Sequence, residues 1–275
     1  MKLSSIATRS LQNYRANPLL TLPALAGFLV SLISESIFSD LVDRCSFQAV
    51  AGQCFTTLGW YSVLNFVVES VVGLFLVLGS VAMTEQVMLG NQASMSGWAR
   101  GIRLHFVRVL VVLLVFGAIG SAVSVAEGIA VSTLIFTRLF IQVHGADLGK
   151  ELIMANAWER MAWDGLMGPL VSFLSIFFYL CLASSVLDRR GLRGSMCIAL
   201  RIVKHDRGLF FSFLMLLWTV NFAVALLSSS PSLIGITEST LGGSTPSFIV
   251  SALAGSVISP LWYLIAFTFY AESRT

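Results

Sequence analysis

The sequence predicts an all-α fold: a polytopic membrane bundle of six transmembrane helices, with amphipathic elbow helices at the interface. Three observations carry this. Hydrophobic residues form 56% of the chain, charged residues only 11%, and the mean hydropathy is +0.86, whereas soluble domains carry about 25% charged residues. The apolar residues fall in runs of about 20, the length that crosses a bilayer as a helix. Lys and Arg gather between those runs, at the N-terminus, around 100–108 and between 189 and 207. Period-2 alternation is absent and the runs are too long for barrel strands, which excludes a closed barrel.

The spans are expected at 18–38, 62–84, 107–127, 167–187, 209–228 and 248–270. The first opens at Asn17-Pro18, a turn followed by a natural first helical position. It is not read as a cleaved leader: it starts after a 17-residue segment, lacks a small-x-small site and continues into SESIFSD. All six contain Gly, Ser or Thr, which membrane helices accommodate where they pack together. The third is ambiguous, because the apolar run 106–143 holds 38 residues with SVAEG at its centre. That is long for one crossing and short for two. Residues 146–165 carry Trp158 and Trp163, and read as an outer-surface helix lying on the membrane.

Charge decides the ambiguous run. Loops rich in Lys and Arg stay cytoplasmic. Six spans with both termini inside put 13 Lys/Arg in inner segments and three (Arg44, Lys150, Arg160) in outer ones, with Arg138 left in the long run. Seven spans, the alternative, would export one or more of the basic clusters. The run 106–143 is therefore read as one net crossing at 107–127. Residues 129–143 then form a re-entrant or interfacial helix, or a bent extension. The chain is read as one integral membrane domain, 1–275, in the cell membrane with cytoplasmic termini.

Three stretches look alike: SSIATRSLQNYRANPLLTLP at 4–23, SMSGWARGIRLHFVRVLVVL at 94–113 and GSMCIALRIVKHDRGLFFSFL at 194–214. Each is a basic, helix-compatible segment that runs into a span. They suit an interfacial elbow, with Leu11, Ile102, Ile198 and Ile202 dipping into lipid. Arg9, Arg15, Arg100, Arg103, Arg201 and Lys204 then reach anionic headgroups on the cytoplasmic side. His105 and His205 share those contacts. The implied pseudo-repeat divides the chain at 1–93, 94–193 and 194–275.

The basic elbow with NP, the LP at 22–23, and SMCIALRIVKHDRGLFF at 195–211 after FFYLCLASSVLDRRG resemble a group of uncharacterised bacterial and archaeal multi-span proteins. That group is similar to the membrane domain of some glycerophosphodiester phosphodiesterases. The resemblance implies a six-span membrane domain over most of the chain. DRRGLRG stands where the group has an acid-rich approach to the third elbow, and no catalytic residue carries over.

Ionisable groups inside spans are expensive and mark candidate sites. Glu69 is the strongest, with Asn65 four residues earlier on the same helical face. It suits a proton, a cation or an Arg, and equally a hydrogen bond that packs the bundle. Glu127 and Arg138 lie 11 residues apart, and a bend at Gly128 would bring them together to hold the outer segment. Glu35 is expected near the outer end of the first span. Cys45 and Cys54 fall in the expected outer loop at a spacing that permits a disulfide on an oxidising face. Cys181 and Cys197 read as small apolar packing residues. No CxxC, HExxH, GxSxG or phosphate-loop pattern occurs, so no metal, cofactor, catalytic site or nucleic-acid partner is expected.

These features favour a structural or accessory membrane subunit that packs against lipid and other integral subunits. The alternative is a transporter or permease-like module for a small solute or lipid, favoured by Glu69 and a re-entrant 129–143.

Overall fold

The computed structural model describes residues 3–47, 51–141, 148–233 and 246–274, and the side chains at 31, 35, 62, 65, 66, 69 and 166 and within 38–59, 124–164 and 225–257 lie outside that description. The chain forms α1 (Leu3–Ala16), a 3-10 turn (Pro18–Thr21), α2 (Leu22–Phe47), α3 (Ala51–Met88), α4 (Met95–Ile141), α5 (Leu148–Leu187), α6 (Leu192–His205), α7 (Arg207–Leu233) and α8 (Pro246–Ser273). No strand occurs among the described residues. Four stretches among them are long and apolar enough to cross a membrane: Ser70–Met88, Met95–Val123, Met167–Leu187 and Arg207–Val224. They match the expected second to fifth spans. The first and sixth expected segments fall in the Pro18 turn with α2, and in α8.

Several helices outrun their expected spans, α5 with Pro169 inside it. α4 has 47 residues, about 70 Å at 1.5 Å per residue, against a hydrocarbon core of about 30 Å. It does not turn back at SVAEG, so the reversal that seven spans would need there is absent. It also runs unbroken through Gly128, which leaves Glu127 and Arg138 about 16 Å apart along the axis. The second expected elbow, 95–106, is no separate helix but the start of α4. Likewise 148–165 belongs to the 40-residue α5, not to a separate surface helix. Cys45 lies in α2 and Cys54 in α3, so they do not share the long loop expected for them.

Packing divides the chain into two compact units. One holds Ser4–Phe106 and Leu241–Phe269. Here α1 ends at Ala16, and Asn17 leaves the helical region, with φ −132° and ψ 69°, as proline disfavours the α conformation for the residue before it. α1 and the following helical stretch, Pro18–Ser34, are bent by 94° at this break. α2 packs on α3, and Tyr61 donates to the Ser34 carbonyl at 2.8 Å.

The α3–α4 hairpin is built by local rules. Gly90 has φ +80°, a backbone conformation open to glycine at low cost. The Gly90 and Asn91 amides donate to the carbonyls of Val87 (3.1 Å) and Gln86 (2.9 Å), a Schellman closure of α3. Ser94 caps α4 by accepting from the Gly97 amide at 3.1 Å. The Gln86 side chain accepts from the Ser94 amide at 3.1 Å. Small residues then let the helices meet. A Cβ on Gly101 would run into Ala82, one on Gly97 into Gln86, and one on Gly79 into the Trp98 ring. The core beneath is Leu20, Met83, Val87, Ala93 and Leu264, covered by Tyr14 and Trp98.

The other unit holds Met1–Leu3, Val107–Thr240 and Tyr270–Thr275. α5 packs on α6 and on α7. Gly168 brings α5 against Trp218 of α7, with no room for a Cβ. Phe116 lies 6.0 Å from Phe177 and 5.3 Å from Phe178 between ring centroids, and Phe173 meets Phe210 edge-on at 5.6 Å.

The close approach at Gly101 yields a prediction. Gly101→Leu overpacks the hairpin and destabilises the protein by about 1–3 kcal/mol. Gly73→Ala, in α3 with nothing within 4 Å of the added Cβ, stabilises by up to about 1 kcal/mol. Thermal unfolding in mild detergent, followed by tryptophan fluorescence, reads both.

Candidate functional site

The described polar groups collect at helix ends. Asn17 is the fullest case. Its amide donates to the Tyr14 carbonyl and its carbonyl accepts from the Leu20 amide, both at 3.1 Å. Its side-chain nitrogen donates to the Asn13 carbonyl at 2.9 Å. Its side-chain oxygen accepts from the Ala93 amide at 3.0 Å, 76 residues away. The break before Pro18 is thereby tied to the turn that opens α4. Ser10 of α1 also lies 3.3 Å from the Thr268 hydroxyl of α8.

Glu85 and His105 form the second cluster. His105 Nε2 stands 2.8 Å from Glu85 Oε2, with the His side chain 2% exposed and the Glu 19%. His105 Nδ1 is buried without a partner. His105 is therefore not the headgroup-facing residue that the sequence suggests. It ties α4 to α3. No local spacing signals the pair, which lies 20 residues apart and meets only once the hairpin closes.

Asp188 is the hub of the other unit. It accepts from the Tyr270 hydroxyl at 2.8 Å, pairs with Arg274, and lies 3.4 Å from Arg190 Nε. It follows α5 directly, and Arg189 after it adopts φ +54°, a left-handed conformation costly for a residue with a Cβ. The Asp188 contacts hold this bend. Both Arg side chains are about half exposed, so each ion pair alone is weak.

The expected headgroup residues stay in three separate places. Arg9 and Arg15 are exposed on α1, Arg100 and Arg103 on α4, and Arg201 and Lys204 on α6. Of these, Arg201 and Lys204 line a common groove, with His205, Leu200 and Cys197. Ile202, expected to dip into lipid, is 4% exposed instead. It belongs with Ser195 and Ala199 to the buried face of α6. The side chains of Asn65, Glu69, Glu127, Arg138, Glu35, Cys45 and Cys54 lie outside the described residues. Cys181 is buried, as expected, and Cys197 is exposed. No cluster of three or more metal-ligating side chains occurs among the described residues.

One further feature is apolar. A cleft of about 420 Å³ lies between α4 and α5, floored by Gly117 and Gly120 and walled by Phe116 and Phe178. The Ser175 hydroxyl in it is already bonded to the Val171 carbonyl at 2.8 Å, so it offers no free donor.

Compared with known proteins, the chain matches no family model, no curated protein and no solved structure.

The pairing of Glu85 with His105 sets a test of their role. Glu85→Ala strands a buried imidazole and destabilises the protein by about 1–3 kcal/mol. Glu85→Ala with His105→Leu removes both polar groups and costs less than the sum of the two single changes. A double-mutant cycle on thermal stability in detergent measures the difference. Additive effects would show that the two side chains are not coupled.

Proposed function

We propose that the chain is an integral membrane subunit with a structural or accessory role, packing against lipid and partner membrane proteins. The carrying observation is α4. Of an apolar 18-residue stretch within Met95–Val123 only 11% is buried, against 56% for one within Met167–Leu187 of α5. Leu104, Val107 and Leu114 are 52%, 69% and 63% exposed. Such a helix is stable where hydrocarbon or another apolar helix covers it. The described polar clusters, by contrast, are spent on tying helix ends to one another.

The cell membrane with cytoplasmic termini is the proposed setting. Its support is the distribution of Lys and Arg, together with two sets of contacts. Asn17 to Ala93 joins the N-terminal segment to the turn before the second basic cluster. Arg274 to Asp188 joins the tail to the third. An even number of spans between each joined pair satisfies both. A second reading, a module moving a lipid or apolar solute, is favoured by the cleft between α4 and α5.

Two measurements test this. Native mass spectrometry after gentle extraction is expected to find the chain at fixed ratio with another membrane protein. A lone monomer would refute the accessory reading. For topology, single cysteines are placed at 100, 155 and 193 in a background with the four native cysteines replaced by Ala. Impermeant maleimide added outside is expected to label Ala155→Cys and spare Arg100→Cys and Arg193→Cys. Labelling at 193 would refute six spans with cytoplasmic termini.

A further inference from the structure

The cationic groove on α6 has no internal purpose among the described residues. α6 is amphipathic along its length. Ser195, Ala199 and Ile202 form its buried face, turned to α5 and α7, the helices it packs on. The opposite face carries Cys197, Leu200, Arg201, Lys204 and His205, which line a groove of about 490 Å³. Their spacing of three and four residues puts all five on one side of the helix. Leu200 is 46% exposed.

Arg201, Lys204 and His205 take no hydrogen-bond or ion-pair partner among the described residues. Acid is scarce beside them. Asp188 is already shared by Arg190, Arg274 and Tyr270. The other acid of the segment, Asp206, caps α6 through its backbone amide, which donates to the Ile202 carbonyl, and no ion pair joins its carboxylate to the groove cations among the described residues. Within 188–207, six Lys and Arg face these two Asp. The negative end of the α6 dipole makes the last turn a good place for cations. It does not explain why an exposed Leu stands among them.

The position of α6 supplies the reason. It joins a candidate span ending at Leu187 to one starting at Arg207, so it lies where two spans leave the hydrocarbon on one side. A ligand there meets cations at one end of the groove and apolar surface at the other. We infer that this groove binds the phosphate of an anionic membrane lipid, with Arg201, Lys204 and His205 on the phosphate and Leu200 and Cys197 against the start of its acyl chains. Free phosphate shares the charge but would leave Leu200 and Cys197 facing water. The inference rests on the membrane placement proposed above.

The experiment uses the full chain, purified in mild detergent from the membrane fraction. The probes are dioleoylphosphatidylglycerol and dioleoylphosphatidylcholine, titrated separately, with retained lipid counted by native mass spectrometry. Phosphatidylglycerol is expected to be retained in preference to phosphatidylcholine. Arg201→Gln with Lys204→Gln is expected to weaken that retention about 30-fold, from the loss of two interfacial cations. Both residues are exposed, and unchanged helical content by circular dichroism confirms that the variant folds. Arg9→Gln with Arg15→Gln, on α1, is expected to leave the α6 site intact. Equal retention of the two lipids, or undiminished phosphatidylglycerol retention in the α6 variant, would overturn the inference. So would displacement of the lipid by millimolar inorganic phosphate, which would assign the groove to a free anion. A chain absent from the membrane fraction would instead sink the membrane placement itself, so the two failures are distinguishable.

Discussion

A chain placed in hydrocarbon must satisfy its own polar groups, because no water is there to do it. Helices meet that demand along their length and fail it at their ends. The described structure depends on how those ends are closed. Gly90 and the Schellman bonds close α3, Ser94 and Gln86 open α4, and Asn17 satisfies all four of its polar groups at the break before Pro18. The small residues Gly97 and Gly101 then bring α4 within contact of α3. That approach lets Glu85 reach His105.

The two units solve the problem with different chemistry. In the one containing the α3–α4 hairpin, neutral amides, hydroxyls and one buried carboxylate–imidazole pair do the tying. In the other, a single carboxylate, Asp188, collects a phenol and two guanidinium groups. The two carboxylates are about equally covered, Asp188 at 16% and Glu85 at 19% exposed, but the Arg partners of Asp188 are half exposed where His105 is buried. Asp188 stands beside a dense run of positive charge. It fixes the tail, while Arg201 and Lys204 lie exposed on α6.

Helix positions were legible in the sequence because apolar run length is a direct physical signal, and all six expected segments fall in helices. Helix ends were less legible. Hydropathy marks what prefers hydrocarbon, not where hydrogen bonding stops. α4 and α5 therefore continue beyond their apolar windows into residues that still favour a helix. Asn17-Pro18 was readable because an Asn-Pro pair favours a turn and suits Pro to the first helical position, whereas Pro169 and Pro260 lie inside α5 and α8. Its bond to Ala93 was not, and neither was the pairing of Glu85 with His105. Both depend on which helices close against each other, a property of packing and not of any local window. Ile202 shows the same limit: an apolar residue on a basic helix suits lipid and protein equally, and only the seat of α6 on its neighbours separates the two.

Helix continuity also bears on Glu69, the intramembrane acid that most invites a transport role. It lies on α3 with Glu85, 16 residues away on one unbroken helix, which is about 24 Å along the axis. In the proposed orientation Glu85 stands near the cytoplasmic edge, where α3 leaves the hydrocarbon. A core of about 30 Å then sets Glu69 only about 6 Å from the opposite edge. Helix rise therefore sets the backbone of residue 69 towards the end of its span and not at its middle, a position that hydropathy alone does not fix.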